Sequence, residues 1–182
     1  MTLLILGLIL WILAHYFKRL APELRGSLGN SGKAIVAVLI VVSLAAMITG
    51  YRWAPFIPVW YPPSFMVHIN NLLMLVAFFV YGMSATTGRL RGKMRHPQLT
   101  AVKIWAFAHL LVNGDLASII LFGGMLAWAV GSVILINRAE PDWQRPEPGS
   151  AKKDVILVVI TLVMFSVVAA IHVWLGVWPF PG

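Results

Sequence analysis

The chain of 182 residues contains no cysteine, which excludes disulfides, thiolate metal sites and cysteine nucleophiles. Charge is scarce as well: Asp, Glu, Lys and Arg together make up 11% of the residues, against about 25% in an ordinary soluble domain. Apolar residues account for 60%, and they fall in long continuous runs with no strict alternation, which excludes a transmembrane barrel. In hydrocarbon, each backbone N–H and C=O must then be satisfied within its own segment, so the runs are expected to be helices. The first run, Leu3 to Leu13, has no basic segment before it and no small-residue cleavage site after it, so it is expected to stay as a membrane helix. The net charge of +8 comes from 14 basic and 6 acidic residues. The basic residues lie between apolar runs and form no face with interleaved aromatics, so nucleic acid is not an expected partner; membrane lipid is.

Six apolar segments are expected to form an all-α, polytopic membrane bundle: Leu3 to Phe17, Ala34 to Trp53, Phe65 to Thr87, Leu99 to Val112, Leu116 to Ile136 and Val155 to Val177. The stretch from Leu99 to Asn137 would be about 58 Å long as one helix, roughly twice the hydrocarbon thickness. It must turn back, and Asn113, Gly114 and Asp115 are the turn-forming residues near its middle, with Asp115 suited to cap the next helix. The small residues Gly123, Ala127 and Gly131 share a face of the fifth segment and predict a close helix contact. One membrane-embedded domain over residues 1–182 is expected, since the Pro-rich stretch from Ala139 to Ala151 is too short to fold alone.

Orientation follows from the basic residues. Lys18, Arg19, Arg25 and Lys33 lie in one loop, Arg89, Arg91, Lys93 and Arg95 in another, and Arg138, Arg145, Lys152 and Lys153 in a third. The positive-inside rule makes these three loops cytoplasmic in a bacterial inner membrane and leaves both termini periplasmic. The segment Arg52 to Ser64 carries Trp53, Trp60 and Tyr61 among four prolines and reads as a stiff, helix-free link in the interfacial aromatic belt.

A buried ionisable group in a membrane costs at least ~2.5 kcal/mol on insertion scales and is a functional candidate by default. The candidates are His15, His68 with Asn70 and Asn71, Lys103, His109, Asp115 and His172. Lys103 lies near the basic end of its span and is expected to snorkel to it. Trp105, His109 and Asn113 are spaced by four and stack on one helix face; Trp11 and His15 repeat part of the pattern. On spacing alone two readings stand. The histidines are hydrogen-bonded core residues that fasten helices, or two of them clamp a haem iron with tryptophans flanking the macrocycle.

The run Arg95, His96, Pro97, Gln98, Leu99, then Trp105, Ala108, His109, Leu110, Asn113, Gly114, Asp115 and on to Gly123 resembles the NnrU family. Its early part is also similar to the plant zeta-carotene isomerase of the same superfamily. The resemblance implies a haem b protein with His15 and His109 as axial ligands, and with Trp11, Trp105, Asn113 and Asp115 around the cofactor. It further implies a lipid-soluble polyene substrate isomerised about a double bond, or haem-linked electron transfer or assembly in denitrification. The plant enzyme carries a cysteine three residues before its second ligand; Ala106 stands there in this chain, so the group for ligand exchange is missing. His15 falls near the basic end of its span and His109 about 15 Å from that end, so a tilted first helix is needed to pair them, or else His68 or His172 is the partner. The Arg95, His96, Pro97 triplet is similar to the opening of the cofactor site in membrane methyltransferases that use S-adenosylmethionine. It also reads as a plain helix start with Pro97 in the first turn.

Overall fold

The computed structural model describes residues 1–181. Each of the six apolar segments contains a helix, although the third stops at Gly82 and not at Thr87, and the sixth at Trp174 and not at Val177. The helices are α1 (Thr2–Leu20), α2 (Pro22–Ser27), α3 (Ser31–Arg52), α4 (Met66–Gly82), α5 (Pro97–Leu110), α6 (Leu116–Ala139) and α7 (Ala151–Trp174), with a single 3-10 turn at Arg89–Gly92. Four of them, α1, α3, α6 and α7, are long and apolar enough to cross a membrane; α4 is shorter at 17 residues. The fourth segment yields the 14-residue α5, about 21 Å long. The chain turns back between Leu110 and Leu116, at the residues expected to break it.

Two compact units are formed, one from residues 1–61 and 114–139, the other from residues 62–113 and 140–181. In the first unit α1 packs along α3 and also contacts α6. Gly50 of α3 lies against the backbone of Leu4, so close that a Cβ there would collide with it. Leu4 and Gly50 stand at opposite ends of their helices in sequence, so α1 and α3 are antiparallel. Gly131 of α6 makes a comparable approach to the Tyr16 hydroxyl, whereas a Cβ at Gly123 would meet nothing. The close contacts are thus made by Gly131 and by Gly124, which lies against Leu8, and not by Gly123; the order of the two contacts sets α6 parallel to α1. Lys18, Arg19, Lys33 and Arg138 accordingly gather at one end of this unit. At the other end the link after α3 folds over the start of α6: Pro58 bridges Asp115, and Val59 N–H and Trp60 N–H donate to the Gly114 carbonyl at 2.8 and 3.0 Å. Asp115 accepts from Ser118 N–H at 3.0 Å, the expected cap, and Ser118 in turn hydrogen bonds the Tyr51 hydroxyl at 2.8 Å.

In the second unit α4 packs against both α5 and α7. Val80, Met83, Ala101 and Leu157 form its buried cluster, with Phe79, Leu90, Met94 and Ile104 around it. Asp154 in the first turn of α7 accepts from Arg89 N–H at 3.1 Å and from Leu90 N–H at 3.3 Å. The Arg95 guanidinium donates to the carbonyls of Glu140 and Pro141. Arg89, Arg91, Lys93, Arg95, Lys152 and Lys153 therefore share the end at which α5 and α7 begin. The surface of α7 is apolar nearly all round: Ile156, Val159, Leu162, Val163 and Val167 are exposed. Such a surface is compatible with a lipid environment.

Candidate functional site

The structure holds each candidate histidine by the same local device. In α1, His15 Nδ1 lies 2.8 Å from the Trp11 carbonyl; in α5, His109 Nδ1 lies 2.9 Å from the Trp105 carbonyl; in α7, His172 Nδ1 lies 2.8 Å from the Val168 carbonyl. A carbonyl only accepts, so Nδ1 carries the proton and, in the neutral ring, Nε2 carries the lone pair. Helical spacing places the acceptor four residues earlier, so any helix can orient a histidine in this way. Surroundings then decide what the ring does.

In the first unit His15 is wrapped in aromatic rings. Trp11 lies 4.2 Å away between centroids and is tilted by 36°, and Trp128 of α6 meets the imidazole edge-on at 4.9 Å. The two indoles are themselves 5.4 Å apart. Trp128 is buried and its carbonyl accepts from the Tyr16 and Ser132 hydroxyls, both at 2.8 Å. Neither indole N–H has a partner among the described residues. Trp128 escaped the sequence reading, although it is three residues from Gly131, on the face that meets α1.

In the second unit α5 and α7 flank α4 with a groove between them. Its volume is about 490 Å³, within the roughly 300–1,000 Å³ common for small-molecule and cofactor sites. Phe78 and Tyr81 of α4, Trp105 and His109 of α5, and Met164 and His172 of α7 line it. The other lining residues are apolar or Gly apart from Thr161, whose hydroxyl donates to the Leu157 carbonyl at 2.9 Å. The groove runs from Leu157 to His172 along α7, about 22 Å at 1.5 Å per residue. Trp105 and His109 are 5.3 Å apart between ring centroids and tilted by 51°.

The remaining expected site residues divide between these settings. Asn113 stays with His109, but its Nδ2 donates to the His109 backbone carbonyl at 2.8 Å and not to the ring. Asp115 belongs to the first unit with Trp11 and His15, where it caps α6. His68 lies outside the groove, beside Phe65, Phe180 and Pro181. His96 is the residue before α5 and Pro97 its first residue, as a helix start requires, and neither Arg95 nor His96 lines the groove.

Haem brings its own four equatorial nitrogens and asks a protein for one or two axial ligands, an apolar enclosure and aromatic or aliphatic walls. Of these the groove offers two imidazoles, His109 and His172, and apolar and aromatic walls. No cluster of three or more His, Cys, Asp or Glu occurs among the described residues. The NnrU protein family model matches residues 3–179, nearly the whole chain. No curated protein and no solved structure matches it. The chain belongs to the NnrU family.

Proposed function

We propose that this NnrU protein binds haem b in the groove of its second unit, with His109 as an axial ligand. The observation that carries the reading is a 490 Å³ apolar cavity with two oriented imidazoles in its wall. When bound, haem supplies one-electron exchange in a dry site whose potential is tuned by its axial ligands. The chain's own residues orient and shield. The Trp105 carbonyl holds the His109 tautomer, Asn113 secures the end of α5, and Phe78, Tyr81 and Trp105 exclude water. The resemblance to the plant isomerase names His15 as the second ligand, but the His15 ring is packed against Trp11 and Trp128 and does not line the groove.

The reaction supported by this resemblance is cis–trans isomerisation of a polyene or another lipid-soluble substrate, for which a long apolar groove is the required shape. The alternative, a haem-linked electron-transfer or assembly factor in denitrification, needs no substrate cavity beside the cofactor. Methyl transfer from S-adenosylmethionine is disfavoured, because the Arg95 guanidinium is occupied by two backbone carbonyls. We place the protein in the bacterial inner membrane with its basic ends in the cytoplasm, since within each unit these residues gather at one end.

The test is the reduced-minus-oxidised optical spectrum of the protein purified in detergent. A b-type signal is expected. A monodisperse, helical preparation that shows none, even after haem is added, would overturn the reading and turn attention to Arg95 and His96.

A further inference from the structure

We infer that the groove of the second unit seats a long-chain lipid by a terminal hydroxyl, which donates to Asn70 Oδ1 at the end away from the basic residues. The inference rests on the isomerase reading above, in which the groove takes a lipid-soluble substrate, and names the head group of that substrate.

Asn70 of α4 is 8% exposed, and its Oδ1 has no hydrogen-bond partner among the described residues. The other buried polar side chains, Ser43, Ser118, Ser132 and Thr161, all make hydrogen bonds. A relay fixes which way the Asn70 amide faces. The Pro179 carbonyl can only accept, so Asn71 turns its Nδ2 to it at 3.0 Å. Asn71 Oδ1 then accepts from Asn70 Nδ2 at 3.1 Å, and Asn70 Oδ1 is the atom left over. A buried acceptor without a donor is costly, and a native fold keeps one where a ligand or a water completes it.

Helix phase puts Asn70 on the groove side of α4. Met74, Ala77, Phe78 and Tyr81 line the groove; Asn70 precedes Met74 by four residues, Ala77 by seven and Tyr81 by eleven, so it continues their stripe by one turn. Height agrees with phase. Leu157 of α7 packs on Gly82 of α4, where a Cβ would collide with it. From that level Asn70 stands about 18 Å along α4, and His172, a lining residue of α7, about 22 Å along its own helix. Asn70 and His172 therefore mark the same end, and the chain beyond α7 returns there to anchor the relay at Pro179.

The chemistry of the occupant follows from the orphan atom. An acceptor asks for a donor. An ammonium group would need a counter-charge when buried, and no carboxylate lines the groove. A neutral hydroxyl needs only the one acceptor. The rest of the groove, apolar over about 22 Å, takes the hydrocarbon chain. A lipid without a hydroxyl leaves Asn70 Oδ1 unpaired and is the weaker ligand.

The experiment compares the dissociation constants of geranylgeraniol and its methyl ether for the wild type, Asn70→Leu and Met164→Trp in detergent, with haem content recorded alongside. The wild type should bind the alcohol about tenfold tighter than the ether, the order expected of one buried hydrogen bond. Asn70→Leu should erase the difference by weakening the alcohol alone. Met164→Trp fills the middle of the groove and should abolish binding of both. Equal affinities in the wild type overturn the inference, as do a difference that survives Asn70→Leu, an alcohol still bound by Met164→Trp, or no binding of either probe. The wild-type comparison needs no variant and decides the matter if Asn70→Leu fails to fold. A protein that discriminates the alcohol but holds no haem defeats the haem reading and leaves this inference standing; a haem protein that binds both probes alike does the reverse.

Discussion

Two regions of this protein hold the same oriented histidine in different surroundings. His15 in the first unit and His109 in the second each follow a tryptophan by four residues and each bind its carbonyl through Nδ1. Around His15 the space is filled by Trp11 and the buried Trp128, and α1 lies tightly on α3 and α6. Around His109 helices α5 and α7 leave a groove of about 490 Å³. The first imidazole is packed among rings of two helices; the second stands on the wall of an apolar groove. Sequence spacing is the same for both, so function here is decided by what the neighbouring helices leave unfilled.

The sharpest way to break this contrast is His109→Ala, which should abolish haem binding while leaving helical content unchanged, as read by optical and circular dichroism spectra of the same sample. Next in size is Trp128→Ala. It removes a buried indole from between Trp11, His15 and the α1 contact and should destabilise the first unit by about 3 kcal/mol through lost packing, measured by denaturation in mixed micelles with haem content preserved. Gly131→Leu forces a side chain into the Tyr16 hydroxyl and should cost about 1–3 kcal/mol by overpacking, whereas Gly123→Leu, with open space around it, should be close to neutral in the same assay. The smallest effect expected is from Asn113→Ala, which removes one hydrogen bond to the His109 carbonyl, about 1 kcal/mol, visible as a modest gain in hydrogen exchange at the end of α5.

The helices were legible because membrane spans announce themselves as apolar runs, and the turn between α5 and α6 because Asn113, Gly114 and Asp115 are the only polar turn residues in a run too long for one span. The helix start at Pro97 and the cap by Asp115 were legible from local chemistry alone. Helix faces were not. In a soluble protein the buried side of a helix is its apolar side, but α6 is apolar nearly all round; the small-residue spacing found Gly131, yet nothing marked Trp128, and Gly123 was given a contact it does not make. His172 was legible as a candidate by its type alone: it follows Val168 by four residues and not a tryptophan, so no repeated pattern favoured it over His15. Its place on the groove comes from α4 packing with both α5 and α7. The link after α3 was readable as stiff and aromatic, but not its bridge from Pro58 to Asp115, because backbone pairing across so many residues leaves no compositional trace.

The division of labour between the two histidine settings is tested most directly by measuring haem per polypeptide and thermal unfolding together in His15→Ala and His109→Ala. The account predicts that His15→Ala melts earlier and keeps its haem, while His109→Ala loses haem and keeps its secondary structure. Loss of haem from a His15→Ala protein whose unfolding is unchanged would contradict it, since His15 would then be a ligand and not a packing residue.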